Sequence, residues 1–199
     1  MKDSKILAMN RMLEAKEKRY YKIKSLTEKF ESPVLSFMLN IPGEDKNFKE
    51  AVDFHKKYIE KIKKLLEENK IEILFEEYEN LITGMEYIGV LEGNGREIKK
   101  LMIEIEEESL GGRLLDLDIY DKDFSQISRS SLGLPERKCI ICGDTARTCI
   151  KEERHKQEEL EDKVREIIIE DLDQVHNIGR LSPKYFFFIE KTSFLLIIP

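Results

Sequence analysis

A chain of 199 residues can bury one proper core, and 37% charged residues with a formal net charge of −6 exclude a general nucleic-acid binder, which needs a basic face against phosphates. No window approaches the roughly 18 apolar residues that cross a bilayer, and the opening MKDSKILAMNRMLEAKEKRYYK lacks the apolar segment of a secretory leader. Three cysteines close together suit reduced thiols or a metal site rather than a disulfide framework, so a soluble cytoplasmic protein with no nucleic-acid or membrane partner is expected.

Apolar residues at positions 6, 9, 12, 13, 20, 23 and 26 set a helical period over residues 3–29, which Pro33 ends. VLSFMLNIPG then reads as a short strand stopped by Pro42 and Gly43. The helical period returns over residues 45–69, with Phe48, Val52, Ile59, Ile62 and Leu66 on one stripe. IEILFEEY, residues 71–78, and MEYIGVLEG read as two strands, the second closing at Gly93-Asn94-Gly95. A third helix over residues 96–108 turns Ile98, Leu101, Met102 and Ile105 inward and breaks at Gly111-Gly112. A further strand, polar turns and the loop SRSSLGLPERKCIICGDTARTC follow, before a charged helix over residues 152–177 with Leu160, Val164, Ile167, Ile168 and Leu172 inward.

Strands separated by helices, with the second and third strands adjacent, predict an α+β domain: a mixed sheet of about four or more strands flanked by helices. A single domain is expected over residues 1–180, leaving the aperiodic LSPKYFFFIEKTSFLLIIP, residues 181–199, as an apolar tail.

In GRLLDLDIYD, residues 112–121, strand alternation puts Leu115, Leu117 and Ile119 on one face and Asp116 and Asp118 together on the other. Two adjacent carboxylates repel unless water or a cation lies between them. A solvated acidic strand face is one reading. The other is a Mg²⁺ site, because that hard cation takes oxygen ligands and shares them with substrate phosphates. Gly111 and Gly112 would allow close backbone approach, and Arg113 could reach a phosphate. Asp121 and Asp123 read as turn formers.

CIICGDTARTCIKEERH holds a second constellation. Cys139 and Cys142 have the C-x₂-C spacing that grips one metal, and Cys149 with His155 would complete a tetrahedral zinc set. The competing reading is three half-buried thiols beside a solvent-facing histidine. Cysteine catalysis is disfavoured because no second histidine lies nearby. His55 and His176 are expected on helix surfaces, and the lysines from 56 to 64 on a solvated face.

An ordered series of segments, EAKEKR, LSFMLNIPGEDKN, GRLLDLDIYD, ISRSSLGLPERKCIICGDTARTC and RHKQEEL, resembles the CitX family, the holo-acyl-carrier-protein synthases of citrate lyase. The resemblance runs through residues 11–170, and its specific part is Gly112 to His155. It implies a nucleotidyltransferase-like enzyme, by analogy of fold, that moves phosphoribosyl-dephospho-CoA from 2′-(5″-triphosphoribosyl)-3′-dephospho-CoA to a serine of the apo acyl carrier subunit. It also implies that Asp116 and Asp118 hold Mg²⁺, one of them orienting the serine. Arg113, Lys46, Arg129 and Arg137 become phosphate contacts, and Gly43 a point of close backbone approach. Ser109-Leu110 stands where the family carries a His-Pro or similar pair, and Lys151 where it often has arginine. Two other readings stay open: the related maturation transferase of malonate decarboxylase, and a non-catalytic zinc-bearing adaptor on a carrier protein. A carrier of acidic character would meet a local basic patch, for which Lys56, Lys57 and Lys61 are candidates.

Overall fold

The computed structural model describes residues 2–178; the apolar tail expected at 181–199 lies outside the described residues. In chain order come α1 (Lys2–Phe30), β1 (Val34–Leu39), α2 (Lys49–Glu68), β2 (Ile73–Leu81), β3 (Gly84–Leu91) and α3 (Gly95–Glu108). A 3₁₀ turn (Gly111–Leu114), β4 (Leu115–Tyr120), the two-residue β5 (Gln126–Ile127), a second 3₁₀ turn (Ser130–Leu132), α4 (Ala146–Lys151) and α5 (Gln157–Ile178) complete the described fold. The α+β class is observed. The five strands are ordered β2-β3-β1-β4-β5, and the sheet expected to be mixed pairs antiparallel at each ladder.

One sheet face carries the main core. Leu35 and Phe37 of β1, Tyr87 and Leu91 of β3, and Leu115, Leu117 and Ile119 of β4 meet apolar stripes of α2, α3 and α5. Those stripes are the helical periods seen in the sequence: Phe54, Ile62 and Leu66; Ile98, Met102 and Ile105; Val164, Ile167 and Ile168. The opposite face is covered only in part, where Ile23 and Leu26 of α1 pack on Val34, Ile88 and Val90. Asn94 starts α3 by accepting from Arg96 N at 2.9 Å and Glu97 N at 3.3 Å, so the Gly-Asn-Gly that closes β3 is also a helix cap.

His55 departs from expectation. It is fully buried, its ring stacks on Phe37 with centroids 4.1 Å apart, and Nε2 lies 3.4 Å from the Phe37 carbonyl. The cause is the helical period: position 55 falls on the same stripe of α2 as Ala51, Tyr58 and Ile62, all buried. Burial pushes its pKa down to about 4, so it is a neutral core ring. The side chain of His176 lies outside the described residues. The lysine face is less solvated than expected, since Lys57 donates to Asp171 Oδ1 at 2.5 Å and Lys61 pairs with Glu108 at 2.5 Å. Asp121 and Asp123 are turn formers: their carboxylates accept from Lys122 N and Ser125 N, each at 2.9 Å.

Candidate active site

β4 alternates as its sequence requires. Leu115, Leu117 and Ile119 are fully buried, while Asp116 and Asp118 stand on the outer face opposite Met38 and Ser36 of β1. The Asp116 side chain is half exposed. Partial burial, and then the charge of Asp118, push its carboxyl above the usual range. Such a pair is eased by a cation with oxygen preference.

The edge of β4 brings protein cations to the same place. β5 pairs only with Ile119 and Tyr120, so the Leu115 and Leu117 carbonyls have no strand partner. Arg137 Nη1 donates to Leu115 O at 2.9 Å and Lys99 Nζ to Leu117 O at 2.5 Å. Arg137 Nη1 also lies 3.8 Å from Asp116 Oδ1. Behind them, Glu106 of α3 is 1% exposed and accepts from Arg137 Nη2 at 2.5 Å and Arg129 Nη2 at 2.6 Å, with Lys99 Nζ at 3.9 Å. Arg129 Nη1 reaches Glu107 at 2.6 Å. Burial lowers the pKa of Lys99, with Glu106 and Asp118 opposing.

Arg113, on the 3₁₀ turn that launches β4, completes the group. Burial and then the charges of Arg137 and Arg129 hold its pKa below the ordinary value. Among the described residues its guanidinium has no hydrogen bond or ion pair. A half-buried arginine without a hydrogen-bond or ion-pair partner, beside two others, could seat an anion. Arg113 and Arg137 also line a cavity of about 680 Å³ with Asn40, Pro42, Cys139 and Leu160. It lies between the loop after β1, the cysteine segment and the start of α5.

The other phosphate candidates stand elsewhere. Lys46 Nζ donates to Ile41 O at 2.6 Å and lines a separate small pocket with Met38 and Gly84, and burial lowers its pKa. Gly43 has φ +81°, and a Cβ there would collide with the Glu161 carboxylate. Gly111 and Gly112 are buried; a Cβ on Gly112 would strike the Ile105 carbonyl of α3 and one on Gly111 the Asp171 carboxylate of α5 and the Tyr58 hydroxyl of α2, so these glycines serve close packing rather than approach to a ligand. Sequence reasoning missed Lys99 and Glu106. A spacing of seven places both on one strip beside the apolar stripe of α3.

The second constellation is also assembled. The sulfurs of Cys139, Cys142 and Cys149 and a ring nitrogen of His155 all lie within 4.8 Å of one another. Gly143, at φ +75°, lets the chain double back: Gly143 N donates to Cys139 O at 3.2 Å and Ile141 N to Cys139 Sγ at 3.5 Å. Thr145 caps α4, which carries Cys149, and His155 sits just before α5. Cys142 Sγ is 3.4 Å from Cys149 Sγ. These four residues could hold a metal ion.

Comparison with known proteins shows the family of the chain. Residues 7–171 match the family described as apo-citrate lyase phosphoribosyl-dephospho-CoA transferase, a span that includes the aspartate pair, the arginines and the Cys/His set. The chain is 34% identical over 151 residues to "Protein CitXG" of Leuconostoc mesenteroides subsp. cremoris, covering 75% of this chain and 32% of that protein. It is 29% identical over 189 residues to "Protein CitXG" of Haemophilus influenzae, covering 89% of this chain and 40% of that protein. This chain therefore spans well under half the length of those two relatives. A relative of similar length, "Probable apo-citrate lyase phosphoribosyl-dephospho-CoA transferase" of Streptococcus pyogenes, is 30% identical over 166 residues, covering 81% of this chain and 85% of that protein. On the extent of these matches, the chain belongs to the apo-citrate lyase phosphoribosyl-dephospho-CoA transferase family.

Proposed function

We propose that this protein transfers the phosphoribosyl-dephospho-CoA group from 2′-(5″-triphosphoribosyl)-3′-dephospho-CoA to a serine of the apo acyl carrier subunit of citrate lyase, in the cytoplasm. The observation that carries the reading is the aspartate pair beside Arg137, whose charge in turn bears on Arg113 next to it. Family membership supplies the substrate class.

The chemistry asks for three things. The serine Oγ forms a bond to the α-phosphorus of the donor, the bond from that phosphorus to the bridging oxygen breaks, and pyrophosphate leaves with the electron pair. Charge builds on the leaving oxygens, and the serine must shed a proton. Asp116 and Asp118 are oxygen donors that suit Mg²⁺, which when bound supplies charge neutralisation on the phosphates. Arg113, unpaired and forked, is placed to hold two phosphate oxygens. Arg137 is fixed by Leu115 O and Glu106, so it meets a phosphate without reorganising. Asp118 is the side chain nearest the buried Ser36 row of β1, and in this reading the more exposed Asp116 accepts the serine proton.

Intact mass spectrometry of the apo carrier subunit tests this directly. Incubation with protein, donor and Mg²⁺ should add one phosphoribosyl-dephospho-CoA, and an Asp116→Asn, Asp118→Asn variant should add none while keeping its fold. An unmodified carrier in the presence of folded wild-type protein and intact donor would overturn the assignment.

A further inference from the structure

We propose that Cys139, Cys142, Cys149 and His155 bind one Zn²⁺ ion that is structural, and that it fastens the wall carrying Arg137 into the phosphate site. Only the consequence for Arg137 rests on the function proposed above.

Tetrahedral zinc with Zn–S near 2.3 Å and Zn–N near 2.0–2.1 Å spaces its ligand atoms about 3.5–3.8 Å apart. The four candidate atoms lie within 4.8 Å of one another, and the Cys142 and Cys149 sulfurs are 3.4 Å apart, so the set matches that polyhedron with little movement. An independent observation points to the same ion. His155 Nε2 is buried with no hydrogen-bond partner, while Nδ1 faces Glu159 Oε2 at 3.7 Å. A carboxylate behind one ring nitrogen and an empty-handed buried nitrogen in front is how metal-ligating histidines are held. A buried ring nitrogen left without any partner would cost stability.

The segment also needs a staple. Across residues 133–156 Cys149 alone is buried, so this stretch has almost no apolar core of its own. Its ligands come from three places: the knuckle at 139–143, α4, and the approach to α5. Four protein ligands leave no open position, which marks a structural rather than a catalytic zinc. The knuckle is tied to the active site by two short links: Arg137 stands two residues before Cys139, and Ala146 N donates to Arg137 O at 2.9 Å. Cys139, Cys149 and His155 line the same cavity as Arg113 and Arg137. Binding displaces the thiol protons to solvent and changes no oxidation state.

Elemental analysis of protein purified under reducing conditions tests the site without reference to turnover. The expected result is about one zinc per chain, released in step with thiol modification. Cys142→Ser changes an exposed ligand, so the fold should survive; its zinc content should fall about tenfold or more, with a lower Tm. Asp116→Asn should keep its zinc in full, which separates this site from the aspartate pair. Zinc-free Cys142→Ser protein should show a several-fold higher KM for the donor, a change a remote structural defect would not confine to KM. Wild-type protein that is folded, holds no zinc and shows no Tm rise when zinc is added would overturn the proposal, as would a Cys142–Cys149 disulfide in the reduced preparation.

Discussion

In the reaction proposed above, Asp116 would have opposite consequences for activity and for stability. Its folded pKa is raised, first by burial and then by Asp118, so the folded state binds its proton more tightly than the unfolded chain does. The ionised form therefore costs the fold some stability at neutral pH, and that cost disappears as pH falls through the folded pKa. Asp116→Asn should leave Tm unchanged or slightly higher, while carrier modification falls by about 10²-fold or more. Calorimetry and carrier mass, run on one preparation, check both halves. His55 has the reverse sign. Its pKa drops from 6.5 to about 4 on burial, so the unfolded state takes up a proton first as pH falls. Stability present above pH 6.5 is lost toward pH 4, by about 3 kcal/mol on that shift. Denaturant melts across this range should show that loss in the wild type and a much flatter profile in His55→Leu.

At the scale of elements, β4 explains why charge gathers where it does. Its partner β5 covers only the far end, and cations finish the bare edge in place of a strand. Glu106 then holds Arg129, Arg137 and Lys99 together from behind. Glu106→Gln leaves those three buried or half-buried cations under-compensated and should cost about 3–5 kcal/mol, seen as a Tm fall of about 6–20 °C. Glu107→Gln, removing a mostly exposed partner of Arg129, should cost under about 1 kcal/mol. This element also shows how far the sequence could be read. The strand alternation of Leu115 to Ile119 and the stripe of α3 were legible, because both are local periods. Glu106 was not, because its partners lie 23 and 31 residues away and an acid on a charged helix reads as solvated. His55 failed for a related reason: a polar residue on an apolar stripe is buried when its neighbours require it. The Cys/His set was legible because ligand spacing is short-range, whereas the packing role of Gly111 and Gly112 emerges only when α3 and α5 close over them.

The whole molecule is asymmetric about its sheet. Among the described residues, three helices pack on one face, and α1 packs on part of the other at Val34, Ile88 and Val90, where Asp116 is exposed and Asp118 half-buried. In the function proposed above, a large carrier and a long donor would both approach that face, which α1 would have to leave clear. Its grip is confined to its second half: Ile23 and Leu26 are buried, and Arg19 reaches Glu86 at 2.5 Å. Burial, partly opposed by Arg19, raises the Glu86 pKa, which fits a clamp closed by packing more than by charge. Earlier on the helix, Ile6, Met9 and Leu13 are each more than half exposed and touch little of the body. Deleting residues 2–13 should therefore shift Tm by less than about 2 °C, whereas Ile23→Ala should cost about 2–5 kcal/mol through the cavity it leaves against Val34 and Val90. Thermal melts of the two variants decide the point. A large loss from the deletion would mean that the first turns of α1 are held against the body, and the open face would then be narrower than the geometry indicates.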